Sequence, residues 1–233
     1  LKKARQDIQT PDRVLGSERV GIGEGLLGGI TTYADTCESG SVHQALRDMR
    51  VRGTMYLEVF GPQPDRARAS LKTLGERVAT FRGMDTALVR SGISPHAPYS
   101  VSDALFRGAA EMAIADALPI AVHAAESEAE QRLVTEAEGD FAEALRSRGI
   151  LVATRGESTI ELLDRTGVLR ARPLLIHCVR ASKEDIGRIA GNHCAVAHCP
   201  ASNAKLGHGI ADLAGFLDAG VVVGLGSDSV ASN

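Results

Sequence analysis

The chain has 233 residues, of which 44% are hydrophobic, and its formal net charge is −3. This length and composition predict one globular α/β domain across residues 1–233, built around a single large core. Aromatic residues make up only 3% and basic residues are scattered, so we expect no nucleic-acid partner. No apolar run reaches the roughly 18 residues of a membrane span and no signal peptide is visible, which predicts a cytoplasmic protein with no membrane partner.

The four cysteines form no C-x-x-C pair, and a chain of this size needs no disulfides, so we expect free and mostly buried thiols. They are Cys37, Cys178, Cys194 and Cys199. Three of them directly follow a histidine, which would suit a Cys/His zinc site. Because adjacent side chains on a strand point to opposite faces, such pairs cannot easily close on one ion, and we discount this site.

Short apolar runs alternate along the chain with longer stretches of helical period. The runs that predict strands are 30–34, 54–60, 87–93, 119–123, 174–177, 195–198 and 221–225. The stretches that predict helices are 65–81, 102–117, 128–146, 182–190 and 211–219. Strand-helix alternation of this kind predicts a parallel sheet covered by helices.

Seven strands exceed a small flavodoxin-like sheet, and no G-x-G-x-x-G follows the first of them, which argues against a dinucleotide-binding fold. Polar residues sit at or just beyond the carboxyl ends of the strands, where (β/α)8 barrels build their active sites. They are Asp35, Glu58, His96, His123, His177, His198 and Asp228. The pattern therefore predicts an α/β fold of the (β/α)8, TIM-barrel type, which needs an eighth strand to close.

His123 and Glu126 form the first candidate pair. His123 ends an apolar strand, where a neutral imidazole is a good metal ligand, and Glu126 follows three residues later, where its carboxylate could reach a metal-bound water. A structural histidine beside a small-residue turn is the alternative. The position of His123 on a buried strand favours the metal site.

His177 and Asp228 also close apolar strands. We expect a metal-site role for His177, with a core histidine bonded to a backbone carbonyl as the alternative. Asp228 follows the most apolar strand of the chain, and a buried carboxylate there is costly unless it is paired or binds a metal. A helix N-cap is its alternative role.

Two loops offer further polar groups to the predicted barrel mouth. His96 lies between two prolines, which stiffen the loop after the third strand and make the imidazole a candidate substrate contact. The segment 198–203 offers Ser202 and Asn203, although these residues are also common in turns. His43, His193 and His208 lie in helical or loop contexts, and we expect them to be solvated.

Five motifs occur in a fixed order along nearly the whole chain: SPHAPY at 94–99, HAAE at 123–126, IHC at 176–178, HCPASN at 198–203 and GSDS at 226–229. Together they resemble the amidohydrolase superfamily, specifically its aminohydrolase branch. The nearest likeness is to deaminases of adenosine-type compounds, namely those of S-adenosylhomocysteine and methylthioadenosine and those of aminodeoxyfutalosine. The segments YLEVFG at 56–61 and SDSVASN at 227–233 resemble the aminodeoxyfutalosine group somewhat more.

The resemblance implies one divalent metal, zinc or alternatively iron, and assigns each candidate a role. His123, Asp228 and His177 would form the metal site, and Glu126, His177 and Asp228 would be the catalytic groups. His96, Glu58 and Ser229 would contact the substrate. The family also has a His-x-His pair on the first barrel strand and a flanking β-sandwich. Neither is found in this sequence, so we expect strands two to eight and one open seam between the strands near Ile30 and Val221.

The implied reaction is hydrolytic deamination of an aromatic, adenine-type nucleoside, a small-molecule substrate, with release of ammonia. The family resemblance also implies a homodimer. One alternative is another metal-dependent hydrolysis on the same scaffold, such as triazine dechlorination or cyclic amide cleavage, because loops rather than the fold set the substrate. The other is a catalytically silent fragment of such an enzyme.

Overall fold

A computed structural model of the chain describes residues 10–229 and residue 232. The basic start of the chain at positions 1–5 lies outside the described residues. So do positions 230, 231 and 233 of the SDSVASN ending.

Seven strands form, and the predicted number of strands is confirmed. They are β1 (Thr32–Cys37), β2 (Arg52–Val59), β3 (Val89–Pro95), β4 (Ala121–Ala124), β5 (Leu174–His177), β6 (Ala195–His198) and β7 (Val222–Leu225). The first one begins later than the apolar run at 30–34 predicts, because its pairing with β2 sets Thr32 opposite Arg52 and Cys37 opposite Leu57. Asp35 therefore lies inside β1 and not beyond its end.

Helices connect the strands and cover them. They are α1 (Pro11–Leu27), α2 (Ser41–Asp48), α3 (Ala67–Arg82), α4 (Asp103–Ala115), α5 (Glu128–Glu136), α6 (Asp140–Arg146), α7 (Thr159–Arg165), α8 (Lys183–Gly191), α9 (Pro200–Lys205) and α10 (Leu213–Asp218). The prediction of one helix over 128–146 is wrong. The chain turns at Ala137 and Gly139, which have φ angles of 59° and 85°, so the helical hydrogen bonding ends and restarts.

The strands pair in chain order and every pair is parallel. β1, β2 and β3 form one group and β4, β5, β6 and β7 form the other. A parallel bridge between Ile93 and Ile120 joins the groups, and the amide of Ile93 donates to the carbonyl of Pro119 at 2.9 Å. Consecutive parallel pairing with helices between the strands is the arrangement of a TIM-type barrel, which confirms the predicted fold class.

The predicted seam lies between β1 and β7. No strand pairing joins these two strands in the part of the chain that the structure describes. Val222 and Leu225 of β7 are 73% and 81% exposed, whereas strands β4 and β5 are mostly buried. The barrel is therefore incomplete at the position that the sequence indicates.

The core fills the space between the strands and the helices. In α4, Leu105, Phe106, Ala109 and Ala113 recur every three to four residues and are all buried, which gives the helix one apolar face toward the sheet. The helix begins at Ser102, whose hydroxyl accepts a hydrogen bond from the amide of Leu105 at 3.3 Å. Burial of this face fixes α4 on the sheet and thereby places the loop that precedes it, 96–102, over the strand ends.

All four cysteines are free, and Cys178, Cys194 and Cys199 are buried, as predicted. Among residues 10–229, none of the helices combines the length and the apolar character that a bilayer crossing requires.

Replacing Phe106 with alanine tests the contribution of this core. The ring is fully buried, so we expect the free energy of unfolding to fall by about 3–5 kcal/mol, measured by urea denaturation. Ile114→Ala on the same helix is the control: its side chain is 50% exposed, and we expect a loss of only about 0.5 kcal/mol. Equal losses for the two variants would contradict the packing described here.

Candidate active site

Four of the predicted site residues meet at the carboxyl ends of neighbouring strands. Glu58 is the penultimate residue of β2, His96 directly follows β3, His123 lies in β4 and His177 ends β5. The ring centroids of His96 and His123 are 4.9 Å apart, and those of His123 and His177 are 5.7 Å apart. Parallel pairing in chain order therefore sets the three imidazoles side by side at one end of the sheet.

His123 has a defined proton arrangement. Its Nδ1 lies 3.2 Å from the carbonyl oxygen of His96, and because a carbonyl can only accept, Nδ1 carries the proton. Burial lowers the pKa of His123 to about 3, so the ring is neutral at physiological pH. Its Nε2 then has a free lone pair. A neutral imidazole fixed by a backbone carbonyl is the usual form of a metal-binding histidine.

His177 is held by a side chain and not by the backbone carbonyl that its structural alternative requires. Its Nδ1 lies 3.1 Å from Oδ1 of Asn203, and both residues are about 1% exposed. With Nδ1–H donated to Asn203, Nε2 faces Oε1 of Glu126 at 3.6 Å. That distance is too long for a hydrogen bond, so the two side chains are close neighbours without a direct bond.

His208 is a neighbour of Glu126, and its predicted solvated position is wrong. Its Nε2 lies 3.5 Å from Oε1 of Glu126, and its side chain is only 21% exposed. His43 is also buried, with its Nε2 3.0 Å from Oδ1 of Asp85, whereas His193 is exposed as predicted. The carboxylate of Glu126 thus has an imidazole of His177 and one of His208 at the same oxygen.

Asp228 departs in part from its prediction. The residue is exposed and not buried, because β7 is an unpaired edge beside the seam. Its Oδ2 accepts hydrogen bonds from Ser202 Oγ and, at 2.8 Å, from Ser232 Oγ. Burial raises the pKa of Asp228, but these hydrogen bonds and the charge of His177 outweigh that effect, so its pKa lies below the usual range. The carboxylate is therefore ionised and held in place, as a metal ligand would be.

Ser229 lies at the exposed rim of the site. Its hydroxyl oxygen is 3.0 Å from that of Ser232, which also donates to Asp228. This arrangement leaves Ser229 beside Asp228 but shows no contact with the inner histidines among the described residues.

Glu58, His96 and His123 form the tightest set of potential ligands. One atom from each lies within 4.8 Å of the others, and no other such group of His, Cys, Asp or Glu occurs in the described residues. Burial raises the pKa of Glu58 to about 7, with a further rise from the charges of Glu38 and Asp35. Burial lowers the pKa of His96 to about 4. His123 belongs to both this set and the predicted set with His177 and Asp228, so the choice between them stays a prediction.

The loop after β3 is stiff, as its two prolines predict. Nδ1 of His96 is 2.7 Å from the hydroxyl of Ser100, and its ring contacts Phe60 and Tyr99, with ring centroids 4.8 and 5.5 Å away. Arg155 holds the loop from outside: its guanidinium donates to the carbonyl of Val101 at 2.9 Å. His96 is thus a fixed imidazole that faces the site.

Some supporting residues are visible in the sequence and others are not. Ser202 and Asn203 fall in a segment already predicted to face the barrel mouth, and the structure gives them Asp228 and His177 as partners. Glu130 and His208 were missed. Glu130 is a buried carboxylate in a helix whose other glutamates, Glu128 and Glu136, are exposed, and no local pattern distinguishes it from them.

Comparisons with known proteins agree with this architecture. The chain is 36% identical over 190 residues to aminodeoxyfutalosine deaminase of Deinococcus radiodurans, covering 77% of this chain and 45% of the relative. It is 31% identical over 231 residues to 5-methylthioadenosine/S-adenosylhomocysteine deaminase of Thermococcus kodakarensis, covering 98% of this chain and 50% of the relative. The chain thus spans about half the length of these curated relatives.

A solved structure supports the fold. The zinc-bound crystal structure of an adenosine deaminase from Xanthomonas campestris matches with a TM-score of 0.78 and 22% identity, covering 97% of this chain and 48% of that one. Residues 18–233 match the amidohydrolase family. The strand order, the histidines at the strand ends and this match together show that the chain belongs to the amidohydrolase family.

Proposed function

We propose that the protein carrying this chain is a metal-dependent aminohydrolase, which removes the exocyclic amino group of an adenine-type nucleoside and releases ammonia. The observation that carries the proposal is the position of Glu126. Its Oε1 lies 3.6 Å from an imidazole nitrogen of His177 and 3.5 Å from one of His208, and the ring centroid of His177 is 5.7 Å from that of His123. The similarity to deaminases of aminodeoxyfutalosine and methylthioadenosine supports the substrate class.

The predicted ligands are chemically suitable for a divalent metal, whereas the three residues whose ligand atoms lie within 4.8 Å of one another in the described residues are Glu58, His96 and His123. The Nε2 lone pair of His123 and the ionised carboxylate of Asp228 are suitable ligands, and His177 would complete a set of three protein ligands. Imidazole suits zinc and iron, and the zinc in the similar adenosine deaminase structure favours zinc. When bound, the metal would lower the pKa of water from about 15.7 toward about 7. A further His-x-His pair, expected for this family, would have to come from outside residues 1–233.

Glu126 would move protons during the reaction. Its carboxylate takes a proton from the attacking water and gives it to the ring nitrogen beside the carbon that bears the amino group. That carbon then takes up the remaining hydroxide. Glu126, now deprotonated, accepts the proton of the new hydroxyl group and passes it to the amino group, which leaves as ammonia. The substrate loses an amine and gains an oxygen, with ammonia as the second product. As the alternative to binding the metal, Nε2 of His177, whose ring is fixed by Asn203, would hydrogen-bond the attacking water and orient it against the carboxylate.

Glu58, His96 and Ser229 would contact the substrate. The pKa of about 7 lets Glu58 either accept or donate a hydrogen bond at neutral pH, which suits a hydroxyl or ring nitrogen. His96 presents its Nε2 because Nδ1 is engaged with Ser100. Ser229, at the exposed rim, is placed to contact the outer part of a nucleoside. If the closer set of Glu58, His96 and His123 held the metal instead, Glu58 could not serve this role.

An ammonia-release assay on the natural protein tests the proposed reaction. We expect turnover of at least one among adenosine, methylthioadenosine, S-adenosylhomocysteine and aminodeoxyfutalosine, with loss of activity on chelation and recovery on adding zinc. Turnover of a triazine or a cyclic amide alone would favour the other hydrolysis on this scaffold. A purified protein with neither metal nor turnover would contradict the proposal and favour a silent domain.

Replacing Glu126 with glutamine tests its role. We expect kcat to fall by about 10²- to 10⁴-fold because the amide cannot carry the proton, with zinc content unchanged, measured by steady-state kinetics and metal analysis. Glu128→Gln is the control: it makes the same chemical change two residues away on a side chain that is 74% exposed. Full activity in the Glu126 variant, or equal losses in both, would contradict the assignment.

A further inference from the structure

The turn that carries Glu126 has an unusual backbone conformation. Ala125, which precedes it, has a φ angle of 50°, in the left-handed region that residues with a side chain rarely adopt. This conformation reverses the chain directly after β4 and points Glu126 toward His177. Such a conformation persists only where neighbouring groups hold it in place.

Both polar groups of Ala125 are held. Its carbonyl accepts a hydrogen bond from the amide of Arg180 at 2.8 Å, in the loop after β5. Its amide donates to Oε1 of Glu130 at 2.8 Å, and the amide of Glu126 donates to Oε2 of the same carboxylate at 3.3 Å. One side chain therefore binds two consecutive amides of the turn, and one of those amides belongs to Glu126 itself.

Glu130 is fixed by a third donor. The hydroxyl of Thr159, at the start of α7, donates to Oε1 of Glu130 at 2.6 Å, and the exposed fractions of the two side chains are 3% and 0%. The amide of Glu130 also donates to Ser127 Oγ at 3.2 Å, which caps α5. The carboxylate thus links the turn to helices α5 and α7. Each of the three groups that donate to it, two amides and one hydroxyl, meets one of its two oxygens.

Burial of this carboxylate is costly. Burial raises the pKa of Glu130 to about 7, although the three hydrogen bonds oppose the rise. An apolar side chain would fill the same space without that cost but would leave the amides of Ala125 and Glu126 without acceptors. The presence of a carboxylate at this buried position is therefore explained by its hydrogen bonds to these two amides.

We propose that Glu130 is a positioning residue for Glu126: its buried carboxylate fixes the left-handed turn at Ala125 and thereby the distance from the Glu126 carboxylate to His177. This inference rests on the proposed function for its effect on turnover. The structural part of the inference, that Glu130 holds the two amides in place, does not depend on the reaction.

Glu130→Gln in the natural protein is the central test. Glutamine has nearly the same shape but only one acceptor oxygen, so one of the two amides faces an NH2 group. We expect kcat to fall by about 10²-fold, with KM and zinc content close to those of the wild type, at about pH 8, where the native carboxyl is ionised. We also expect faster hydrogen exchange of the Ala125 and Glu126 amides, measured by mass spectrometry.

Glu136→Gln is the matched control, since it makes the same change on the same helix at a side chain that is 52% exposed and paired only with Arg132 at the surface. It should leave kcat and amide exchange unchanged. If Glu130→Gln does not fold, Thr159→Val decides: it removes one donor to Oε1, and we expect kcat to fall about fivefold at constant KM.

Several outcomes would overturn the inference. They are a kcat within about twofold of wild type, a KM that rises as kcat falls, or a loss of zinc in parallel with activity. If the wild type shows no deaminase activity, the proposed function fails, and amide exchange alone then decides. Unchanged exchange at Ala125 and Glu126 in Glu130→Gln would overturn the clamp, whereas faster exchange there and not in Glu136→Gln would support it.

Discussion

The close approach of β3 and β4 is the constraint on which the site depends. These strands join the two groups of the sheet through one bridge and two backbone hydrogen bonds, from Ile93 to Pro119 and from His123 to His96, both 2.9 Å long. Gly92 permits this approach, because a Cβ atom there would lie 2.6 Å from the carbonyl oxygen of Pro119. Glu58 and His96 come from one side of this junction, and His123 and His177 from the other. A larger residue at Gly92 would therefore separate the two halves of the site as well as the two strands.

Three polar groups of the site are stabilised by a partner on a different element. His177 depends on Asn203 of α9, Asp228 on Ser202 of the same helix, and Glu126 on the turn that Glu130 holds. Buried polar groups without partners are costly, so these pairs fix single orientations as well as lowering the cost of burial. The proposed chemistry needs groups fixed within fractions of an ångström. The helices that cover the sheet thus fix the orientation of the site residues through these side chains.

The strands and most of the candidate site could be predicted from the sequence, because both follow from short-range patterns. An apolar run that ends in a histidine indicates both a buried strand and the end of that strand that carries a site residue, as at His123 and His177. The burial of His43 and the contact of His208 with Glu126 depend on distant parts of the chain. Glu130 could not be identified for the same reason: its side chain is buried and bonded to Thr159, which lies 29 residues away.

Asp228 shows how the seam and the site are connected. The burial expected for it rested on the apolar composition of β7, which includes Val222 and Leu225. In the described residues β7 pairs only with β6, so these side chains are exposed and Asp228 is held by the hydroxyls of Ser202 and Ser232. Exposed apolar edges of this kind are unfavourable in water. A strand that paired with β7 and β1 would bury this edge, which ends three residues before Asp228.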